Sequence, residues 1–422
     1  MSRILIGAAA AVVAIALCVA VAVCLAIAAA PPEKAPAKPP AKPAAKAPEP
    51  ARPGIILAFQ KVKVSDEPYE SCGVFDVNND GAADIVSGAW WYPGPKFDRR
   101  HKIGDVPAGQ DYFDDFSTIA ADVNGDGYAD FVTGGWFGGV LQWRENPRGD
   151  PAKEWPLHDI AKIGNIETTR GWDIDGDGRP EFVPNTPGGP QRVFKLITDA
   201  AGKGTGKFSE HAVYDAKTGH GMGCGDVNGD RRPDIVLAKG WLEAPAEPLG
   251  GAKWTFHGEF DLGHASIPII VADLTGDGLA DLIVGQAHPY GLDWWEQKAA
   301  GGERRWVKHP IDPFSSQYHD LVWTDIDGDG KPELVTGKRR HAHRDRDPGD
   351  ADPAGVYYFK WTGEGFAKIV VDYGFGPAGK GCGIFFQVAD ADGDGRPDVV
   401  APGKDGLVLY RNLGFARPPI KP

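Results

Sequence analysis

The sequence predicts an all-β fold, a seven-bladed β-propeller, and three observations carry that prediction. A nine-residue pattern, Asp-x-[Asp/Asn]-x-Asp-Gly-x-x-[Asp/Glu], recurs seven times with few departures, starting at Asp76, Asp122, Asp173, Asp226, Asp273, Asp325 and Asp390. The copies lie 46, 51, 53, 47, 52 and 65 residues apart, a period that suits four-stranded blades better than a helical solenoid. Short apolar runs flank the copies, as in IVSGAWW, FVTGGWF, IVLAKGW, LIVGQA and VVAPG, so each pattern is the turn of a β-hairpin. With 57 Gly and 36 Pro among 422 residues, the chain also has the turn chemistry that such a fold demands.

Taken in order, the first element is an export segment. Ile4 to Ala30 is an uninterrupted apolar run of 27 residues behind Arg3, long enough for a bilayer that needs about 20. Residues 1–30 therefore read as a signal peptide, ending on the small residues Ala28-Ala29-Ala30, or as an uncleaved membrane anchor. Either places the protein outside the cytoplasm, secreted or tethered through residues 4–30. Residues 31–53 hold nine Pro, seven Ala and four Lys. That composition extends as polyproline II and buries no core; as a stalk it reaches roughly 70 Å at about 3.1 Å per residue.

The propeller takes residues 54–416, with a short tail at 417–422. Most units end in an outer β-run, such as EWPLHDI, KWTFHGEF and RRWVKHPI, but the chain stops after VVAPG and LVLYRN. The matching piece, AFQKVKV (58–64), precedes the first motif. It is expected to complete the seventh blade and remove an open sheet edge.

Composition bounds the partners. The chain carries 58 acidic and 45 basic residues, a net charge of −13, which argues against a nucleic-acid binder. The seven loops hold 24 of those acids and five of the bases, so the acidity is mostly a metal-site inventory and leaves anionic partners possible elsewhere. Outside the export segment stand three cysteines, Cys72, Cys224 and Cys382; an odd number excludes a full disulfide framework. Cys72 could pair with Cys382, or all three could be buried thiols.

The repeated acids point to Ca²⁺. Oxygen side chains at positions 1, 3 and 5, a carbonyl at 7 and a carboxylate at 9 make a hard-oxygen cage, and glycine at 6 permits the sharp turn. The first loop offers Asp76, Asn78, Asp80, the Ala82 carbonyl and Asp84; the second Asp122, Asn124, Asp126 and Asp130; the third Asp173, Asp175, Asp177 and Glu181. The fourth offers Asp226, Asn228, Asp230 and Asp234; the fifth Asp273, Asp277 and Asp281; the sixth Asp325, Asp327, Asp329 and Glu333; the seventh Asp390, Asp392, Asp394 and Asp398. Up to seven structural calcium sites follow, weakened in the fourth loop by Arg231 in place of glycine and in the fifth by Thr275 at position 3.

With these motifs the sequence resembles the FG-GAP/VCBS repeat family, whose seven-bladed propellers include the integrin α-subunit head. The resemblance covers about residues 55–414 and implies the calcium ligands just named. A weaker resemblance, through HDL-x-W-x-D-x-DGDG (319–330) and the Arg/His-rich insert ending in DPG (347–349), is to the propeller portion of aldos-2-ulose dehydratase. It implies sugar dehydration with a histidine base.

If strand one of each blade is innermost, residues six or seven before each motif ring the channel mouth: Glu70, Asp115, Glu167, His220, Ser266 and His319, with His264 and Lys380 slightly farther out. Loops leaving strand two reach the same rim with Trp90, Trp91, Trp136, Trp241, His288, Tyr290, Arg339, Arg340, His341 and His343. Aromatic faces with convergent polar groups suit a carbohydrate or an extracellular protein ligand. The alternative is a sugar lyase or dehydratase in which His220 or His319 abstracts a proton, Glu167 orients it or acts as acid, and Arg170 or Lys380 stabilises an enolate.

Overall fold

The structure is a computed structural model that describes residues 56–416 apart from Gly302. The export segment 1–30, the linker 31–53 and the tail 417–422 lie outside the described residues. Among the described residues no helix is long and apolar enough to cross a membrane.

Seven four-stranded antiparallel sheets make the blades. Blade five shows the plan: Ile270–Ala272, Asp281–Gly285, Leu292–Ala300 and Glu303–Pro310 pair in chain order from first strand to fourth. The first strands are short, from Gly73–Phe75 in blade one to Gln387–Ala389 in blade seven, and most neighbouring ones touch, including those of blades one and seven. In blade seven the outer strand is Leu57–Ser65, paired antiparallel with Leu407–Phe415 so that Lys61 lies opposite Tyr410.

Second strands such as Ile85-Val86, Ile235-Val236 and Val399-Val400 are buried on both faces. Each is pressed between two neighbouring blades, so its sequence runs apolar instead of alternating. The core is accordingly a series of clusters between blades; Val335, Tyr358, Phe386 and Val399, for example, join blades six and seven. Every second strand opens on the position-9 acid of its loop, which is buried. Its carboxylate accepts the backbone N–H of position 2, as Asp130 does from Val123 at 2.9 Å. In five blades it also takes an N–H from within or just past strand three, as Asp130 does from Asn146 at 2.7 Å. The turn acid thus fastens three strands of a blade together. Cys72, Cys224 and Cys382 are free thiols, Cys72 and Cys382 buried.

Candidate functional site at the channel mouth

Residues immediately ahead of the first strands converge at one end of the channel. Glu167 precedes Thr168–Trp172, His220 precedes Met222–Gly225, and His319 precedes Leu321–Thr324, so a shared position in the repeat brings residues 152 apart in sequence into contact. His319 Nε2 lies 3.0 Å from Glu167 Oε1, and His220 Nε2 lies 3.4 Å from the same oxygen. The ring of His288, from the loop after strand two of blade five, stands 4.9 Å from that of His220 and 5.7 Å from that of His319.

Two of the three rings are braced at Nδ1. His220 Nδ1 meets the Ala265 carbonyl at 2.8 Å. His288 Nδ1 lies 3.1 Å from Asp347 Oδ2, and Asp347 also meets His343 Nδ1 at 2.9 Å. Arg339 is buried; its Nε donates to Glu70 Oε1 at 2.9 Å and its guanidinium comes within 3.9 Å of Glu167. Burial opposes ionisation of Glu167, but His220 and His319 outweigh it and hold its carboxyl well below the usual carboxylate range. Burial and then the Arg339 cation push His319 well below the usual imidazole range, and burial lowers His288 despite Asp347. Glu167 is thus favoured as a carboxylate, and His288 and His319 as neutral imidazoles.

Above this cluster is a pocket of about 410 Å³ walled by Tyr112, Phe116, Trp136 and Phe137 and by His264, Arg339 and His343. The long Arg/His-rich insert of blade six packs beside it: the His343 N–H donates to Tyr112 Oη at 2.5 Å, Gln317 Nε2 donates to Asp350 at 2.6 Å, and Lys338 reaches the Gly349 carbonyl.

Of the residues expected at the rim, Glu167, His220, His264, His288, His319, Trp136, Arg339 and His343 come together. The others do not. Trp241 falls in strand three of blade four, where it is fully buried and stacks on His257 with ring centroids 4.3 Å apart. Trp90 likewise lies in strand three of its blade, beneath the Arg100 guanidinium. Tyr290 is exposed and donates to Asp352, and His341 meets Asp345 instead of the pocket. Arg170 is spent on Asp320, at 2.6 Å, and Lys380 on Asp405. Sequence reasoning missed Asp347 as the brace of His288 and His343, and the aromatic wall from the run QDYFDDF (110–116). That run's density of rings was the available signal.

Six of the seven nine-residue loops divide into two kinds. In blades three, six and seven, position 3 is Asp, and the third strand sends a cation to the cage. Lys195 Nζ lies 2.5 Å from Asp175 and Asp177 and 3.1 Å from Glu181. Lys360 contacts Asp327, Asp329 and Glu333, and Arg411 comes within 3.5 Å of Asp392. In blades two, four and five, position 3 is Asn124, Asn228 or Thr275, and the corresponding third-strand residue is Glu145, Glu243 or Glu296. Asn124 and Asn228 reach Glu145 and Glu243 at 3.4 and 3.3 Å. Each glutamate is held by a fourth-strand histidine, His158, His257 or His309, at 2.8 to 3.0 Å. Arg231, at the glycine position of the fourth loop, adopts φ 70°, and its N–H reaches Asp226 at 2.7 Å, as the Gly81 N–H reaches Asp76 at 2.8 Å. That substitution leaves the turn intact.

Residues 273–336, from the fifth loop through most of strand two of blade six, match the FG-GAP-like repeat family. No curated protein matches the chain. Among solved structures, the chain is similar to rhamnogalacturonan lyase YesW at 14% identity, covering 87% of this chain and 75% of that one with a TM-score of 0.42. It is similar to BBS1N, solved in complex with ARL6DN, at 11% identity, covering 85% and 96% with a TM-score of 0.48.

Proposed function

Starting from a seven-bladed propeller that carries the FG-GAP-like repeat, we propose that the protein is a binding module that takes a carbohydrate in the channel-mouth pocket. One observation carries the reading: Glu167, His220 and His288, backed by the buried His319, converge beneath an aromatic wall in a pocket of about 410 Å³. Aromatic faces cover the apolar side of a sugar ring, while carboxylate, imidazole and guanidinium groups take its hydroxyls. The elimination alternative is less well supported, because both cations expected to stabilise an enolate, Arg170 and Lys380, are held in ion pairs away from the pocket. The apolar run 4–30 and the stalk support a role outside the cytoplasm. The test is a screen of the full chain against neutral, acidic and oxidised sugars, read by tryptophan fluorescence. A saturable response that Trp136→Ala weakens at least tenfold is expected, and a folded protein that binds none of them contradicts the reading.

Calcium, on the same proposal, serves as a staple in only some loops. Blades one, two, four and five present oxygen cages with no lysine or arginine at the third-strand position; in two and four an arginine, Arg148 or Arg232, pairs with the position-5 acid from elsewhere, and in two, four and five a glutamate stands at the third-strand position. These fit a hard dication. Blades three and six do not, since Lys195 and Lys360 already occupy the space between the carboxylates, and Arg411 neutralises the seventh.

A further inference from the structure

We infer that Glu167, His220, His288 and His319 hold a first-row divalent transition ion, chemically distinct from the calcium of the loops. The inference rests on the pocket reading and names what lies at the pocket's floor. Each of the four side chains offers a ligand atom, and all four atoms lie within 4.8 Å of one another. The measured edges, 3.0 Å from Glu167 to His319 and 3.4 Å from Glu167 to His220, bracket the edge of about 3.3 Å that a tetrahedron with bonds of about 2.05 Å requires.

The ligand chemistry selects the ion. Imidazole favours zinc, cobalt, nickel, copper or iron over calcium and magnesium, which demand oxygen. The outer contacts are those a metal centre uses: Ala265 and Asp347 each occupy the Nδ1 of a histidine, which leaves Nε2 of His220 and His288 directed inward. His220 Nε2, 3.4 Å from Glu167, makes no hydrogen bond. A buried imidazole nitrogen left unpaired beside a carboxylate is costly, and a shared ion supplies its missing partner. The pocket opens directly onto this centre, so a sugar's adjacent oxygens can complete the coordination shell. His220 then serves as a ligand, with no lone pair left to take a proton.

The test uses the full chain, stripped with chelator, saturated with Ca²⁺ to fill the loops, and titrated with Co²⁺ in the absence of sugar. One equivalent is expected to bind with the visible absorption of imidazole-ligated cobalt, and Zn²⁺ is expected to displace it. His288→Ala and Glu167→Gln should each abolish the band, and Asp347→Asn should weaken binding about 10- to 100-fold. Circular dichroism spectra and melting temperatures matching the parent in Ca²⁺ show that the variants fold, and Glu167→Gln, being isosteric, guards against collapse of the site. Absence of the band, or a band that survives both ligand variants, overturns the proposal. Because no sugar is present, that outcome is separate from failure of the carbohydrate reading.

Discussion

Asp115 shows how strongly the channel mouth weighs on single side chains. It is buried ahead of blade two, and neither carboxylate oxygen has a hydrogen-bond partner. Burial, reinforced by Glu70, pushes its pKa well above the ordinary range. A carboxyl raised in the folded state contributes stability that is complete below its unfolded pKa and is lost as pH rises through the folded value. Asp115→Asn should therefore raise the melting temperature by several degrees at pH 8 and change it little at pH 4. Calorimetry showing equal gains at both pH values would contradict that account. At this scale the sequence was partly legible. Glu167, His220 and His319 share one repeat position, and counting back from the motif found them. Trp241 was misplaced because strand three of blade four begins at Gly240, which draws the ring into packing that motif spacing does not reveal.

At the scale of the element, the informative unit is a loop together with its third strand. An acid at position 3 goes with a third-strand cation in blades three, six and seven, whereas a neutral side chain goes with a glutamate in two, four and five. Seven copies within one chain thus carry their own comparison. The pattern was present in the sequence, but reading it required the strand register, because Lys195 and Lys360 lie 14 and 27 residues beyond Glu181 and Glu333. Equilibrium dialysis should find four calcium ions per chain instead of seven. Lys360→Met should add one more. In chelator the same variant should lose of the order of 1 to 3 kcal/mol, because it leaves buried carboxylates unpaired. An unchanged ion count in Lys360→Met would sink the idea of a tethered cation.

At the scale of the whole molecule, the first described strand meets the last. Leu57–Ser65 covers the edge of Leu407–Phe415, which would otherwise present unpaired backbone groups to other chains. Deleting residues 57–65 is expected to lower the melting temperature sharply and to promote aggregation, measured by light scattering during a thermal ramp; a deletion that melts as the parent does would remove that role. Blade number and the all-β class were legible because each turn repeats the same chemistry. The pocket was less so, because its wall comes from a hairpin at 108–113 and an insert at 338–353 that belong to no repeat.

On the proposed function, ligand binding resides in the channel-mouth pocket and not elsewhere on the rim. The most direct test is titration calorimetry with the sugar found by screening, comparing Trp136→Ala inside the pocket with Trp90→Ala and Tyr290→Phe outside it. Loss of binding at least tenfold in Trp136→Ala alone is predicted. Full affinity in Trp136→Ala, with loss in either of the others, would contradict it.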